Sequence, residues 1–193
     1  MTRPGRASLT FALLAVALSG ATVGVAAAAV ETAPPAIEPT GRTVTITVRE
    51  VAGRLKFVGP ATVTVGDELV IANRTDPLRI GPVTFSLVRR GYLPKTKAAR
   101  DACFRPGHIC WAIAEWHGTG GDGMPTINPA EAGEPGWDTM GAPGVPGDSW
   151  FSGSKPGNSF GQEVTAKPGT RLWFMDAIHP ALRGTIRVLA PKQ

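Results

Sequence analysis

Apolar and polar positions alternate from Arg42 onward. Val44, Ile46 and Val48 interleave with Thr43, Thr45 and Thr47, the period-two pattern of a strand with one buried face and high β-propensity. Further strands are predicted over 61–65, 68–72 and 83–88, separated by turn chemistry at Gly66-Asp67 and Asn73-Arg74-Thr75-Asp76. The rhythm stops over 89–161 and returns at 162–166, 171–175 and 184–189. Seven short strands with turns between them predict an all-β sandwich. Within the interruption, residues 111–117 read as one short helix ended by Gly118. From Gly118 to Gly161 there are twelve glycines and six prolines, so 118–161 is expected as a loop unable to build a buried sheet. Met124, Trp137, Met140 and Trp150 are the side chains that could pin it to the domain.

Composition narrows the class. Gly 24 and Pro 18 in 193 residues disfavour a helical bundle, because both interrupt helices. Charged residues at 18% are too few for a coiled coil. The N-terminus carries Arg3 and Arg6, then no charge from Ala7 to Val30, and ends in Ala26-Ala27-Ala28-Ala29. A basic head, an apolar run and a small-residue exit predict a secretory signal peptide over 1–29, with the mature chain starting near Val30; the rival is an uncleaved anchor. Residues 30–41, with Pro34, Pro35 and Pro39, read as a linker, and 42–193 as one domain carrying the 89–161 insertion. The expected location is extracytoplasmic: secreted, periplasmic or cell surface.

Losing Arg3 and Arg6 lowers the formal +5 to +3, too mild a charge to argue for nucleic acid. One stretch is locally basic: Arg89, Arg90, Lys95, Lys97, Arg100 and Arg105 stand against a single Asp101. It is expected on the surface, where it is either a solvated face or a docking patch for a protein or cell-envelope partner. No membrane partner is expected after signal cleavage. Cys103 and Cys110 flank Pro106-Gly107. Outside the cytoplasm such a pair is expected to oxidise, and closing so short a loop contributes about 2.5 kcal/mol in the chain-entropy view. The alternative is a metal site from Cys103, His108, Cys110 and His117, whose spacing fits structural zinc poorly.

Three pieces resemble the cupredoxin family, the blue-copper proteins of the plastocyanin and azurin type. They are Val65-Gly-Asp-Glu-Leu-Val-Ile-Ala-Asn73, Gly81-Pro-Val-Thr-Phe-Ser-Leu-Val88 and Leu172-Trp-Phe-Met-Asp-Ala-Ile-His-Pro-Ala-Leu-Arg-Gly-Thr-Ile-Arg-Val188. The resemblance covers 42–88 and 162–189 and implies a Greek-key β-sandwich. Carried over position by position, it puts the first histidine ligand at Val83, the cysteine at Asp176, the second histidine at His179 and the methionine at Leu182. Only His179 keeps the family's ligand type. A blue site needs two imidazoles, a thiolate and a weak thioether, so copper, the family's cofactor, is not expected here. The resemblance therefore implies a copper-free binding or structural module; the alternative is an electron-transfer protein with a non-standard copper site.

An enzyme is not expected. Gly147-Asp148-Ser149 and Asp176-Ala177-Ile178-His179 resemble the GDSL hydrolase blocks, and a serine with a histidine base and an orienting aspartate is sound chemistry. Only 26 residues separate Ser149 from Asp176, however, which leaves no room for the α/β sheet that lies between those blocks.

Overall fold

The computed structural model describes residues 40–118, 127 and 129–192. The expected leader, nearly all of the linker and Met124 lie outside them. Among the described residues, ten strands form two mixed sheets. The first runs β2 (Arg54–Val58), β1 (Thr43–Val51), β4 (Glu68–Asn73), β8 (Ser159–Glu163). The second runs β3 (Thr62–Thr64), β10 (Arg183–Leu189), β9 (Arg171–Met175), β5 (Thr84–Leu87), β7 (Ser149–Phe151), β6 (Glu131–Ala132). The chain passes back and forth between the sheets, with β1 parallel to β4 and β3 parallel to β10. This is the expected all-β sandwich.

Alternation places the core. Ile46, Leu69, Ile71, Phe85, Leu172 and Phe174 turn inward and are buried between the sheets, each contributing about 1.5–3 kcal/mol on burial. Phe85 packs at 4.6 Å on Phe174 and edge-on at 5.2 Å against Trp137. At β10, Phe174 lies opposite Gly184; a Cβ there would meet the Phe174 ring at 2.4 Å, so this position admits glycine alone without a shift.

The seven expected strands all occur, but the one placed at 162–166 lies at Ser159–Glu163, where Phe160 sits opposite Ile71 of β4. Two of the additional strands correct the reading of 118–161. β7 and β6 join the six-stranded sheet, and Trp137 and Trp150 are buried in the main core. Strands of two and three residues are too short to show a period, while long-range pairing and tryptophan burial hold them in place. β2 was also not anticipated. Its hairpin turns through Ala52 and Gly53, both at positive φ (51° and 70°), as a two-residue turn requires; Ala-Gly lacks the Asn or Asp that usually marks such a turn.

Three short helices follow the same logic. α1 (Pro77–Ile80) is capped by Asp76, whose carboxylate accepts from Leu78 N. α2 (Lys97–Asp101) is capped by Thr96. α3 (Ile109–Trp116) starts two residues before the expected helix and ends at His117 and Gly118, the latter with φ 96°, the glycine stop read from the sequence. α3 and the Cys103–Cys110 disulfide (Cα–Cα 5.0 Å) form a second apolar cluster with Val88, Met175 and Ala177. α3 thereby packs over the part of the six-stranded sheet's outer face around Met175. Among the described residues no helix is long and apolar enough to cross a membrane.

Candidate functional site

β5 is buried at all four positions. Phe85 and Leu87 face the main core, so Thr84 and Ser86 must face the other way. A polar outer face would ordinarily meet water. Here it is enclosed, and its hydroxyls bond to one another and to neighbours on β7 and past the end of β9. The residues beyond those strands complete a hydrogen-bonded chain with a histidine at each end.

At one end is the pole picked out by the resemblance. The structure brings all four positions together. Val83 and Leu182 are buried with Val48 in a small apolar cluster lined by Leu55 and Phe57. Asp176 is fully buried. Its Oδ1 accepts from Thr84 N (3.0 Å), Thr84 Oγ1 (3.2 Å) and Ile178 N (2.9 Å). Its Oδ2 lies 2.7 Å from His179 Nδ1. His179 Nε2 faces the Ile80 carbonyl at 3.1 Å. The loop is closed by Asp176 N donating to Leu182 O (2.9 Å) and Leu182 N donating to His179 O (2.7 Å).

Both imidazole nitrogens of His179 therefore meet acceptor oxygens, an arrangement that suits the doubly protonated ring. Asp176 raises the His179 pKa above the ordinary 6.5 by its hydrogen bond and its charge, with the Ile80 carbonyl adding to it and burial opposing. For a metal the donor set does not fit. Val83 and Leu182 have no donor atom, the Asp176 oxygens are taken by four hydrogen bonds, and neither ring nitrogen has a free lone pair. Among the described residues, no group of three or more His, Cys, Asp or Glu could hold a metal ion.

The other end is His117, also fully buried. Nδ1 lies 2.7 Å from the Pro129 carbonyl and Nε2 2.7 Å from Ser149 Oγ. A carbonyl only accepts, so Nδ1 carries the proton and, in the neutral ring, Nε2 accepts from the Ser149 hydroxyl. Ser149 stands opposite Ser86 in register, and their hydroxyls are 2.7 Å apart. Ser86 Oγ lies 3.4 Å from Thr84 Oγ1, the longest link. Thr84 Oγ1 accepts from Ala177 N (2.7 Å) and donates to Asp176. Burial lowers the His117 pKa below 6.5, with the Pro129 carbonyl opposing.

This geometry corrects two alternatives. His117 and the disulfide cysteines cannot share a metal, because Cys103 and Cys110 are bonded to each other and His117 bonds Ser149 and Pro129. Ser149 pairs with His117, whereas His179 pairs with Asp176, so the two hydrolase-like blocks do not assemble one triad. Asp148 beside Ser149 is buried. Its Oδ2 accepts from Asp138 N (2.8 Å) and Thr139 N (2.7 Å), while Oδ1 has no hydrogen-bond partner among the described residues. Burial pushes its pKa up to about 6, against the two backbone donors; the Asp138 and Glu134 carboxylates add to the rise.

On the outer face of the same sheet, the basic stretch is on the surface as expected, with Arg90 and Lys95 exposed. Together with Leu93, Trp173, Arg183 and Thr185 they line a cleft of about 380 Å³. The sequence hinted at one half of it. The other half comes from β9 and β10, far along the chain, and no local pattern announces it.

No protein-family model matches the sequence, and no curated protein matches it. Among solved structures the chain is similar to auracyanin B, a cupredoxin, at 10% identity and a TM-score of 0.39, over 78% of this chain and 89% of that one.

Proposed function

We propose that the protein is an exported, cupredoxin-like module that carries no copper centre and acts by binding a partner. The observation that supports this most is the convergence at one pole of Val83, Asp176, His179 and Leu182, the four positions matched to the family's ligands. Val83 and the group Asp176, His179 and Leu182 come from two stretches of sequence chosen by resemblance, and they lie side by side there. The donors at that pole are used for structure: His179 and Asp176 satisfy each other and the loop backbone, and Val83 and Leu182 seal the pole with apolar contacts. Export is supported by the signal-like N-terminus and by the disulfide. The exposed cations of the stretch Arg89–Arg105 are the surface offered to a partner.

Copper titration tests the reading. Protein purified with Cu(II) added should show no intense visible absorption band and no redox-active copper, because that band needs a thiolate ligand. An intense band in the wild type would overturn the reading and make electron transfer the function. The triple variant Val83→His, Asp176→Cys, Leu182→Met supplies imidazole, thiolate and thioether at the matched positions and should turn blue. A folded triple variant that takes up no copper would break the match between this pole and the family's site.

A further inference from the structure

We infer that the cleft lined by Arg90, Lys95, Trp173 and Arg183 binds a small organic anion: a phosphate-type oxyanion carried on a flat or apolar body. This goes beyond the copper-free reading of the pole and does not depend on it; it gives Arg90 and Lys95, two of the cations offered to a partner, a specific ligand chemistry.

The argument starts from charge. Three cationic side chains line the cleft, and none of the lining residues is acidic. A fourth, Arg171, lies over the Trp173 ring at 5.9 Å, and Arg90 lies over it at 5.1 Å. Among the described residues none of these four forms an ion pair with a carboxylate, whereas Arg42, Arg79 and Lys97 each do. Like charges gathered without a counter-charge repel one another, and they focus a positive potential into the concavity.

Two of these cations are also held in place. Arg183 Nη1 donates to the Pro94 carbonyl at 2.5 Å, which ties the β10 arginine to the loop carrying Lys95. Arg90 is steadied over the indole by cation–π attraction. Guanidinium groups fixed in this way can present paired N–H donors to an oxyanion with little further loss of freedom. The remaining lining is apolar. Leu93 is almost fully buried and Trp173 half-buried, so the cleft offers a carbon surface beside its charges. Its volume of about 380 Å³ falls in the range of small-molecule sites, roughly 300–1,000 Å³. An inorganic anion alone would leave the exposed part of Trp173 uncovered.

The test is calorimetric titration of the purified protein at low ionic strength with three probes: phenyl phosphate, inorganic phosphate and phenol. Phenyl phosphate should bind saturably at one site, inorganic phosphate about tenfold or more weakly, and phenol not measurably. Added NaCl should weaken phenyl phosphate binding. Arg90→Gln and Lys95→Gln should each weaken it by about tenfold. Both side chains are exposed, so the fold should survive, and an unchanged melting temperature checks this. Arg183→Gln should weaken binding further, since it also releases the Pro94 tie. Lys167→Gln, an equal charge change at an exposed turn outside the cleft, should leave affinity unchanged. Trp173→Leu should abolish the advantage of phenyl phosphate over inorganic phosphate. Absence of saturable phenyl phosphate binding would overturn the site. Equal losses from Lys167→Gln and Arg90→Gln would reduce it to net charge. Equal affinity for the two phosphates would remove the apolar body from the proposal. Each of these results leaves the copper titration untouched, so the two readings fail separately.

Discussion

His179 and His117 end the same chain of hydroxyls, yet face different partners. At the His179 end the ring meets a carboxylate and a carbonyl, two acceptors that favour the cation. At the His117 end it meets one carbonyl and one hydroxyl. The hydroxyl can donate or accept, so it accommodates the neutral ring, and burial then decides. One pKa rises and the other falls, although both rings belong to one network. Each histidine's charge is set by the balance of its partners and its depth: the Asp176 carboxylate outweighs burial at half-buried His179, and burial outweighs the Pro129 carbonyl at fully buried His117.

The most disruptive way to break this contrast is Asp176→Ala. It strips the acceptor from Thr84 N, Ile178 N and His179 Nδ1 together and leaves a half-buried imidazolium without its counter-charge. The expected loss is about 3–5 kcal/mol, read as a drop in the urea midpoint, and the variant should lose the raised histidine pKa in an NMR titration. Next in size is Ser149→Ala at the opposite end. It leaves His117 Nε2 without a donor and Ser86 with only its long contact to Thr84, an expected loss of about 1–3 kcal/mol. An unchanged midpoint would mean that the chain does not run through Ser149.

The pH dependence separates the two ends by sign. His179, with its folded pKa raised, adds stability that is fully present below about 6.5 and is lost as pH rises through its folded value. His117, with its folded pKa lowered, costs stability as pH falls below about 6.5, because the unfolded chain takes the proton first. Urea midpoints from pH 5 to 9 should therefore show two limbs. His179→Gln should flatten the basic limb and His117→Gln the acidic one; the reverse assignment would refute the contrast. Asp148 works against His117 on the acid side. With a folded pKa near 6 against an ordinary 3.8, it adds stability as pH falls through 6 toward 4. Asp148→Asn should change the neutral-pH midpoint least of these variants, and it should steepen the loss on acidification. A variant that acidifies like the wild type would show that Asp148 is ionised throughout.

Much of the sandwich was legible because its strands alternate cleanly. The Thr43–Val48 pattern, the Gly66-Asp67 turn and the β9 boundaries need only local sterics and one buried face. The Cys103–Cys110 pair was legible for a similar reason: a short loop with Pro106-Gly107 between two thiols has one easy closure. The pole was legible only through resemblance, since Val83 and Asp176 are far apart in the chain and nothing local says that they meet.

The rest was decided by tertiary structure. Thr84 and Ser86 read locally as a wet strand face, and only the tertiary fold, which buries them against Ser149, Asp176 and Ala177, turns them into a hydrogen-bonded chain. His117 follows α3, and its partner Ser149 comes from a segment whose glycines and prolines suggested a loop. Trp137 and Trp150, two of the side chains expected to pin that segment, do hold it in the core; what no local pattern announced is the pairing of β6 and β7. The cleft joins Arg90 to Arg183 by folding two stretches of the chain onto one face. Sequence alone settled which residues alternate, turn and carry charge, because those are properties of neighbours along the chain. Only the tertiary structure decided which polar groups lost their water and which charges share a cleft, because desolvation and Coulomb energy depend on distances in space.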